Sequence, residues 1–287
     1  MNMAASALPS SSRPSTARSV RNMMGWVLIA LLPGIAARVR VSGIDLLLQI
    51  AVTLAFAWLI EAVLLRLRGH PLRIFLFDGS ASITAALFAL YLPPGVPWWV
   101  VASGMCAALL FGKHLFGGLG RNPFNPAMLG VALVLACFPA TLAANAVDNN
   151  IWSNPDWIWI ASADALGGVL LLWLRIVRWQ IPLAVFAGAA VGAGVAWLGD
   201  DAIALRGLLA GNLVLAAFFI ASDPVSGCVT PRGRWLFGAG IGLLLALLDR
   251  YAGAAAGLPF AVLLMNCAAP WIDRQLQPSR LAEQRHG

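Results

Sequence analysis

Charged residues are scarce in this 287-residue chain. Asp, Glu, Lys and Arg together make up 11% of it, and the mean hydropathy is +0.82. Soluble domains usually contain about 25% charged residues, because they need polar side chains to cover their surface. The scarcity therefore excludes an ordinary soluble protein and predicts an integral membrane protein whose surroundings are largely lipid.

Cysteine and histidine are also few. The four cysteines show no C-x-x-C spacing, and the three histidines lie far apart in the sequence. Zinc ligation, disulfide frameworks and histidine-based catalysis need such residues in characteristic pairs or clusters. We therefore expect no metal site and no internal disulfide, and we expect His70, His114 and His286 to lie at the cytoplasmic membrane interface.

Ten apolar segments approach the length of about 20 residues that a helix needs to cross a bilayer. They are residues 23–40, 44–66, 79–93, 96–116, 125–144, 157–177, 181–198, 204–222, 234–250 and 255–273. If the N terminus is cytoplasmic, all basic residues except Arg38, Arg40, Arg206 and Arg250 fall on the cytoplasmic side. This bias is typical of membrane topology, so the net charge of +7 does not indicate nucleic-acid binding. It predicts a multi-pass membrane protein with both termini cytoplasmic.

Two of the ten segments are short, and they occupy matching places in the chain. The third ends at Pro93-Pro94 and the eighth at Ser222-Asp223-Pro224. Matched interruptions of this kind occur where two repeats of a membrane protein form a site between them. The sequence therefore predicts an all-α protein with a cytoplasmic tail (1–22), a five-helix repeat (23–144), a short extracytoplasmic connection (145–156), a second five-helix repeat (157–273) and a cytoplasmic tail (274–287).

The stretch GGLGRNPFNPAM, residues 117–128, is unusually polar for its position between apolar segments. Its glycines allow left-handed backbone, and its prolines suit the first turn of a helix. Asn122 and Asn125 can cap that helix and can also offer amide groups to a polar ligand. Two interpretations remain open on spacing alone: a capped cytoplasmic turn, or part of a binding site.

A second polar stretch, SDPVSGCVTPRGR at 222–234, follows the eighth segment. Asp223 lies at the end of a broken helix, where an acid is costly unless it is paired or hydrated, so it is a candidate site residue. Asp78, at the start of the third segment, is its counterpart in the first half. Of the other acids near the segments, Asp164 lies beside small residues and is expected to face the bundle, whereas Glu61 is expected to pair with Arg66 at the interface.

These two stretches, together with LPPGVPWWVV and LRIVRWQIP, resemble the family that contains the D subunit of Rnf electron transport complexes and the B subunit of sodium-pumping NADH:quinone oxidoreductases. The resemblance runs from about residue 20 to residue 275. It implies ten helices in two repeats, similar to urea transporters. It also implies a subunit without independent catalytic activity, which works with other membrane and peripheral subunits. Such a complex couples electron transfer between NADH and ferredoxin-like carriers to movement of Na⁺ or H⁺.

The resemblance implies a flavin cofactor, FMN or riboflavin, but one motif is absent. Members of the family usually carry FMN on a threonine of a Ser-Gly-Ala-Thr-like motif in a long loop after the fifth span. Here that connection is short and lacks the threonine. Thr230 follows a similar sequence, but it has one extra residue before it and lies on the opposite side. We therefore expect non-covalent flavin binding, with Asp78, Asn122, Asn125, Asp223 and Thr230 as the candidate residues.

Two other functions fit the same pattern. A channel or carrier for a small polar solute would share the repeat architecture and would need no cofactor. A membrane scaffold subunit that has lost its cofactor would explain the missing threonine.

Overall fold

The computed structural model describes residues 14–72, 76–148, 157–196, 212–252 and 256–276, and all regular secondary structure in these ranges is helical. Most of the connection at 145–156 and residues 204–211 of the eighth predicted segment lie outside these ranges. The first-half helices are α1 (Pro14–Ser42), α2 (Ile44–Leu67), α3 (Ser80–Tyr91), α4 (Trp98–Leu109), α5 (Pro126–Cys137) and α6 (Pro139–Asp148). The second-half helices are α7 (Trp157–Trp173), α8 (Gln180–Ala196), α9 (Asn212–Leu215), α10 (Pro231–Ala252) and α11 (Gly257–Leu276).

Two helices continue into a π-helical turn. Residues Leu110–His114 extend α4, and residues Ala216–Ile220 extend α9. A π-helical turn inserts one residue into the helical repeat and is frequently found at functional sites. Both turns end next to the polar stretches that the sequence singles out.

The predicted all-α class is confirmed for the described residues, but ten membrane spans are not. In the described ranges, two helices, Val20–Ser42 and Ile44–Leu67, are long and apolar enough to cross a membrane by themselves. Many large side chains on the helix surfaces are nevertheless apolar and exposed, among them Leu32 at 57% and Leu59 at 60%. Apolar surface on this scale suits contact with lipid chains. The number of spans and the two-repeat layout stay predictions.

The fifth predicted segment, 125–144, is wrong as a single straight helix. It consists of α5 and α6, which meet at an angle of 100°. Pro139 causes the break, because its ring blocks the helical position of Phe138 and its nitrogen has no proton to donate. Phe138 accordingly leaves the helical region, with φ −131° and ψ 46°. If the bent pair is one span, it is the third that the described part of the chain contains.

The helices pack in two groups with contacts between them. In the first half, α2 packs against α3 and α4, and α4 packs against α5. In the second half, α10 packs against α8 and α11. The halves meet where α1 lies along α7 and where α11 contacts α5. These contacts bring the polar stretches at 117–128 and 222–234 to the same part of the molecule.

Candidate functional site

A buried acid–base cluster lies between α2, α3 and the π-helical turn of α4. Glu61 is 1% exposed, and each of its carboxylate oxygens has a partner. Lys113 Nζ lies 2.6 Å from Oε1, and His114 Nε2 lies 2.9 Å from Oε2. The ammonium of Lys113 also donates to Ser80 Oγ at 2.7 Å. We call Glu61, Ser80, Lys113 and His114 the Glu61 cluster.

The π-helical turn brings two consecutive residues to one carboxylate. In an α-helix, neighbouring side chains point about 100° apart and rarely reach the same group. Here the Leu115 amide donates to the Leu110 carbonyl oxygen, five residues back, which widens the turn. Lys113 and His114 therefore approach Glu61 from the same side. Burying these charges is costly, and mutual pairing with further hydrogen bonds is what makes it tolerable.

Asp78 is connected to the Glu61 cluster through Ser80. Its Oδ1 accepts hydrogen bonds from the Ser80 amide at 2.8 Å and from Ser80 Oγ at 2.6 Å. The Ser80 hydroxyl thus donates to one acid while it accepts from Lys113. The result is a continuous chain of polar groups from Asp78 to His114.

A second polar contact joins the two halves. Asn125 caps α5, as the sequence predicts, because its Oδ1 accepts from the Met128 amide at 3.2 Å. The backbone N–H of Asn125 donates to Asn266 Oδ1 on α11 at 3.0 Å, and its side-chain Nδ2 donates to the Ile220 carbonyl oxygen at 3.4 Å. Asn266, which is 1% exposed, in turn donates to the Ser226 carbonyl oxygen. We call Asn125, Asn266 and Ser226 the asparagine junction.

A cavity of about 90 Å³ separates the Glu61 cluster from the asparagine junction. Its polar lining includes Ser80, Lys113, Asn122, Asn125, Ser222 and Asp223. Asn122 is 4% exposed, and its Oδ1 is buried without a hydrogen-bond partner among the described residues. A cavity of this size with several polar partners is suitable for water or a partly hydrated ion.

The structure brings three of the five predicted site residues to this cavity. Asn122, Asn125 and Asp223 line it, and Asp78 is one hydrogen bond away through Ser80. Thr230 does not line it, because its hydroxyl donates to Asp273 and accepts from the Gly233 amide. Any cofactor role for these residues stays a prediction.

Asp223 is held within its own turn. Its Oδ1 accepts from the Val225 amide at 3.0 Å, and its Oδ2 accepts from Ser226 Oγ at 2.8 Å. Burial raises the pKa of the Asp223 carboxyl above its ordinary value, and these hydrogen bonds oppose the rise. The acid at the broken helix is therefore partnered by short local contacts and still reaches the cavity wall.

The predicted pairing of Glu61 with Arg66 is wrong, whereas the interfacial depth predicted for Glu61 and His114 stays a prediction. Glu61 pairs with Lys113 and His114 rather than with Arg66, and His114 is only 5% exposed. The sequence did contain a signal: Gln49, Thr53 and Glu61 recur at multiples of four residues. That spacing places them on one face of α2, and this face is buried.

The expectation that Asp164 faces the bundle is confirmed. Arg38 on α1 contacts both of its oxygens at 2.8 Å, and Asp164 is 1% exposed. A two-point contact of this kind suits a buried arginine and carboxylate. It links α1 of the first half to α7 of the second.

Among the described residues, no group of three or more His, Cys, Asp or Glu side chains could hold a metal ion. The polar groups of the site instead combine acids, cations, hydroxyls and amides around a small cavity. Such a set can bind water, exchange protons or hold a small cation. Ionisable residues at membrane depth commonly mark ion or proton pathways.

Comparison with known proteins shows one consistent family. The model of the NQR2, RnfD, RnfE family matches residues 8–156 and 143–282. The chain is 35% identical to the D subunit of the ion-translocating oxidoreductase complex of Marinobacter nauticus over 326 aligned positions, which cover 94% of this chain and 93% of that protein. It is 37% identical to the protein of the same name from Pseudomonas aeruginosa, with 95% of each covered. For the Yersinia enterocolitica protein the identity is 34%, with 93% and 96% covered.

Proposed function

Since the chain belongs to the NQR2, RnfD, RnfE family, we propose that it is the membrane D subunit of an ion-translocating oxidoreductase complex. In this proposal the complex transfers electrons between NADH and ferredoxin-like carriers and moves Na⁺ or H⁺ across the bacterial inner membrane. The chain assembles with the other membrane and peripheral subunits, and both of its termini are cytoplasmic. It has no catalytic activity by itself.

The observation that supports a part in ion movement is the Glu61 cluster, of which Ser80 and Lys113 line the polar cavity. Lys113 touches Glu61 directly and reaches Asp78 through Ser80. The ammonium group thus contacts one acid directly and is linked to the second through a hydroxyl. Transfer of Lys113 toward Asp78 would leave Glu61 free to bind a cation or a proton from the cavity, and its return would expel that ion.

This exchange requires the Lys113 side chain to rotate away from Glu61 and past Ser80, which already accepts a hydrogen bond from Nζ and donates one to Asp78. The two arrangements are alternative states of one switch, and electron transfer elsewhere in the complex would bias them. His114, on the other oxygen of Glu61, would keep the carboxylate oriented while Lys113 moves.

Non-covalent flavin binding remains part of the proposal, with Asn122 as the residue whose chemistry fits best. Its unpartnered Oδ1 can accept a hydrogen bond from a ring N–H. The cavity beside it does not hold a tricyclic ring, since its 90 Å³ is well below the volume of about 300 Å³ at which sites for such ligands begin. We therefore assign no electron-transfer step to this cavity.

Covalent flavin is not part of the proposal. The alignment with the Marinobacter relative spans 326 positions, more than the 287 residues of this chain, so relatives contain segments that this chain lacks. This supports the view that the chain lacks the long loop on which the family carries its flavin. In-gel fluorescence after denaturing electrophoresis tests this directly, and a fluorescent band for this chain would contradict it.

Reconstitution tests the proposed function. The whole complex, purified through a tag on this chain and placed in liposomes, should move Na⁺ or H⁺ when it receives an electron donor and acceptor. Liposomes containing this chain alone should take up neither ions nor small polar solutes. Solute uptake by the chain alone would instead support the channel or carrier, and electron transfer without ion movement would overturn the proposal.

A further inference from the structure

A second cavity, of about 530 Å³, adjoins the first and shares Ser222, Asp223 and Pro224 with it. It lies between the α7–α8 connection and the first turn of α10. Three arginines line it: Arg175 and Arg178 from the connection and Arg234 from α10. We call it the arginine cavity.

None of these three guanidinium groups forms a hydrogen bond or ion pair with another described residue. The cavity lining contains one carboxylate, Asp223, and both of its oxygens already accept hydrogen bonds within their own turn. The lining of the arginine cavity therefore carries three cationic side chains and one carboxylate.

Arg175 has a left-handed backbone conformation, which is unfavourable for residues other than glycine. Its φ is 57°, the one positive value among the described residues that are not glycine. The position ends α7, where the amides of Arg175 and Ile176 donate to the carbonyls of Leu172 and Leu171, and glycine is the residue usually found there. A side chain held at such a position often has a use that offsets the strain.

Membrane topology alone does not explain why three arginines line the same cavity. The tendency of basic residues to stay cytoplasmic requires charge in a connection, but it does not require three arginines from two segments to face one cavity. Arg232 shows the difference: it precedes Arg234 by two residues and is exposed, as Arg175 and Arg178 are, but it does not line the cavity.

Apart from Ser222 and Asp223, the rest of the lining is mainly apolar, and aromatic residues lie beside it. Met23 and Trp26 of α1 and Leu174 form part of the wall. Trp179 and Trp235, each next to a lining arginine, are exposed and pack edge to face with ring centroids 5.6 Å apart. Exposed tryptophans are typical of the membrane–water interface, which suits a cavity at headgroup depth.

We infer that the arginine cavity binds a phosphate-bearing anion. Arginine presents paired N–H donors that match phosphate oxygens, and arginines from two segments can enclose one phosphate group. The same chemistry is offered by the headgroup of an anionic phospholipid and by a free phosphate. The apolar wall is suited to the acyl chains of a lipid.

Binding can be measured as the rise in melting temperature of the purified complex on titration with a ligand. The ligands are short-chain phosphatidylglycerol, short-chain phosphatidylcholine and inorganic phosphate. The cavity variant carries Arg175→Gln, Arg178→Gln and Arg234→Gln. A matched control carries Arg66→Gln, Arg121→Gln and Arg232→Gln, which removes the same charge from exposed arginines outside the cavity.

The wild type and the control should bind phosphatidylglycerol or phosphate about tenfold or more tightly than the cavity variant, since each lost guanidinium removes a charge-assisted contact. Cavity-dependent binding of phosphatidylglycerol alone identifies a lipid site, and equal binding of inorganic phosphate identifies a site for the free anion. Equal affinities in the cavity variant and the control would overturn the inference.

One further variant guards against misfolding of the triple substitution. Arg175→Gly keeps the left-handed backbone without strain and removes one guanidinium. It should leave the melting temperature without ligand unchanged or raised, and it should weaken anion binding. Anion binding at wild-type strength in this variant would contradict a role for Arg175.

Discussion

The interior between α2, α3 and α4 and the contact between α8 and α10 are built in opposite ways. The first contains the Glu61 cluster, in which acid, ammonium and imidazole are buried together. The second is formed by glycine and alanine: a Cβ at Gly188 would overlap the Ala239 carbonyl oxygen, and one at Gly242 would overlap the Val185 carbonyl oxygen. The two helices therefore approach to backbone contact without the help of charges.

The difference separates packing from function. In lipid, apolar side chains gain little from contacting each other rather than acyl chains, so small residues that let backbones approach are an efficient way to join helices. The α8–α10 contact, the most extensive between helices in the described residues, uses this solution. Buried charges are an expensive alternative, and their presence near the polar cavity indicates that the charges themselves are needed.

The largest effect should come from Glu61→Ala. It leaves the Lys113 ammonium buried with only the Ser80 hydroxyl as a partner, which should cost about 3–5 kcal/mol of stability. Chemical unfolding in mixed micelles measures this. Asp45→Ala, on an exposed residue of the same helix, should cost less than about 1 kcal/mol. Equal losses of stability for Glu61→Ala and Asp45→Ala would show that the buried charges of the Glu61 cluster contribute no more to stability than an exposed charge does.

Gly242→Ala should have the second largest effect, a loss of about 2–3 kcal/mol in the free energy of unfolding. The new methyl group meets a backbone carbonyl that cannot move aside. Gly194→Ala is the matched control on α8, since nothing lies within 4 Å of its added Cβ. The control should be neutral or stabilising by up to about 1 kcal/mol. Thermal unfolding of both variants decides whether close backbone approach holds this region together.

Asn266→Ala should cost about 1–2 kcal/mol. It leaves the Asn125 amide and the Ser226 carbonyl without their partner in a buried place. Assembly of the complex, followed by native electrophoresis, should weaken with it. A variant as stable as the wild type would show that the asparagine junction does not hold the halves together.

Asp223→Asn should have the smallest effect on stability, within about 0.5 kcal/mol, because an amide can keep both local hydrogen bonds. It should lower ion-coupled turnover more than it lowers assembly of the complex, because it removes a carboxylate from the cavity wall. Turnover per assembled complex is the quantity to measure. Parallel loss of assembly and turnover would assign Asp223 to folding.

Sequence reasoning located local features better than distant pairings. Residues 44–66 were predicted as one segment, and α2 spans Ile44–Leu67. The break before Pro93 is where α3 ends, since proline chemistry acts on its immediate neighbours. The bend at Pro139 was missed, although the residue was visible, because continuous hydropathy does not report the direction of a helix.

The partner of Glu61 could not be found in the same way. Lys113 lies 52 residues away, and it reaches the carboxylate only because α2 and α4 pack together and a π-helical turn rotates it inward. A nearby arginine in the sequence was the obvious candidate and was wrong. Asn266 and the arginine cavity likewise depend on tertiary contacts that no local pattern specifies.

Ion uptake by complexes carrying Glu61→Gln, measured together with electron transfer in liposomes, tests the central claim most directly. The substitution keeps the size of the side chain and removes the charge that Lys113 neutralises. If the Glu61 cluster carries the ion, electron transfer should continue while ion uptake falls to background, and Asp45→Asn should leave both unchanged. Ion uptake at the wild-type rate in Glu61→Gln would contradict the account.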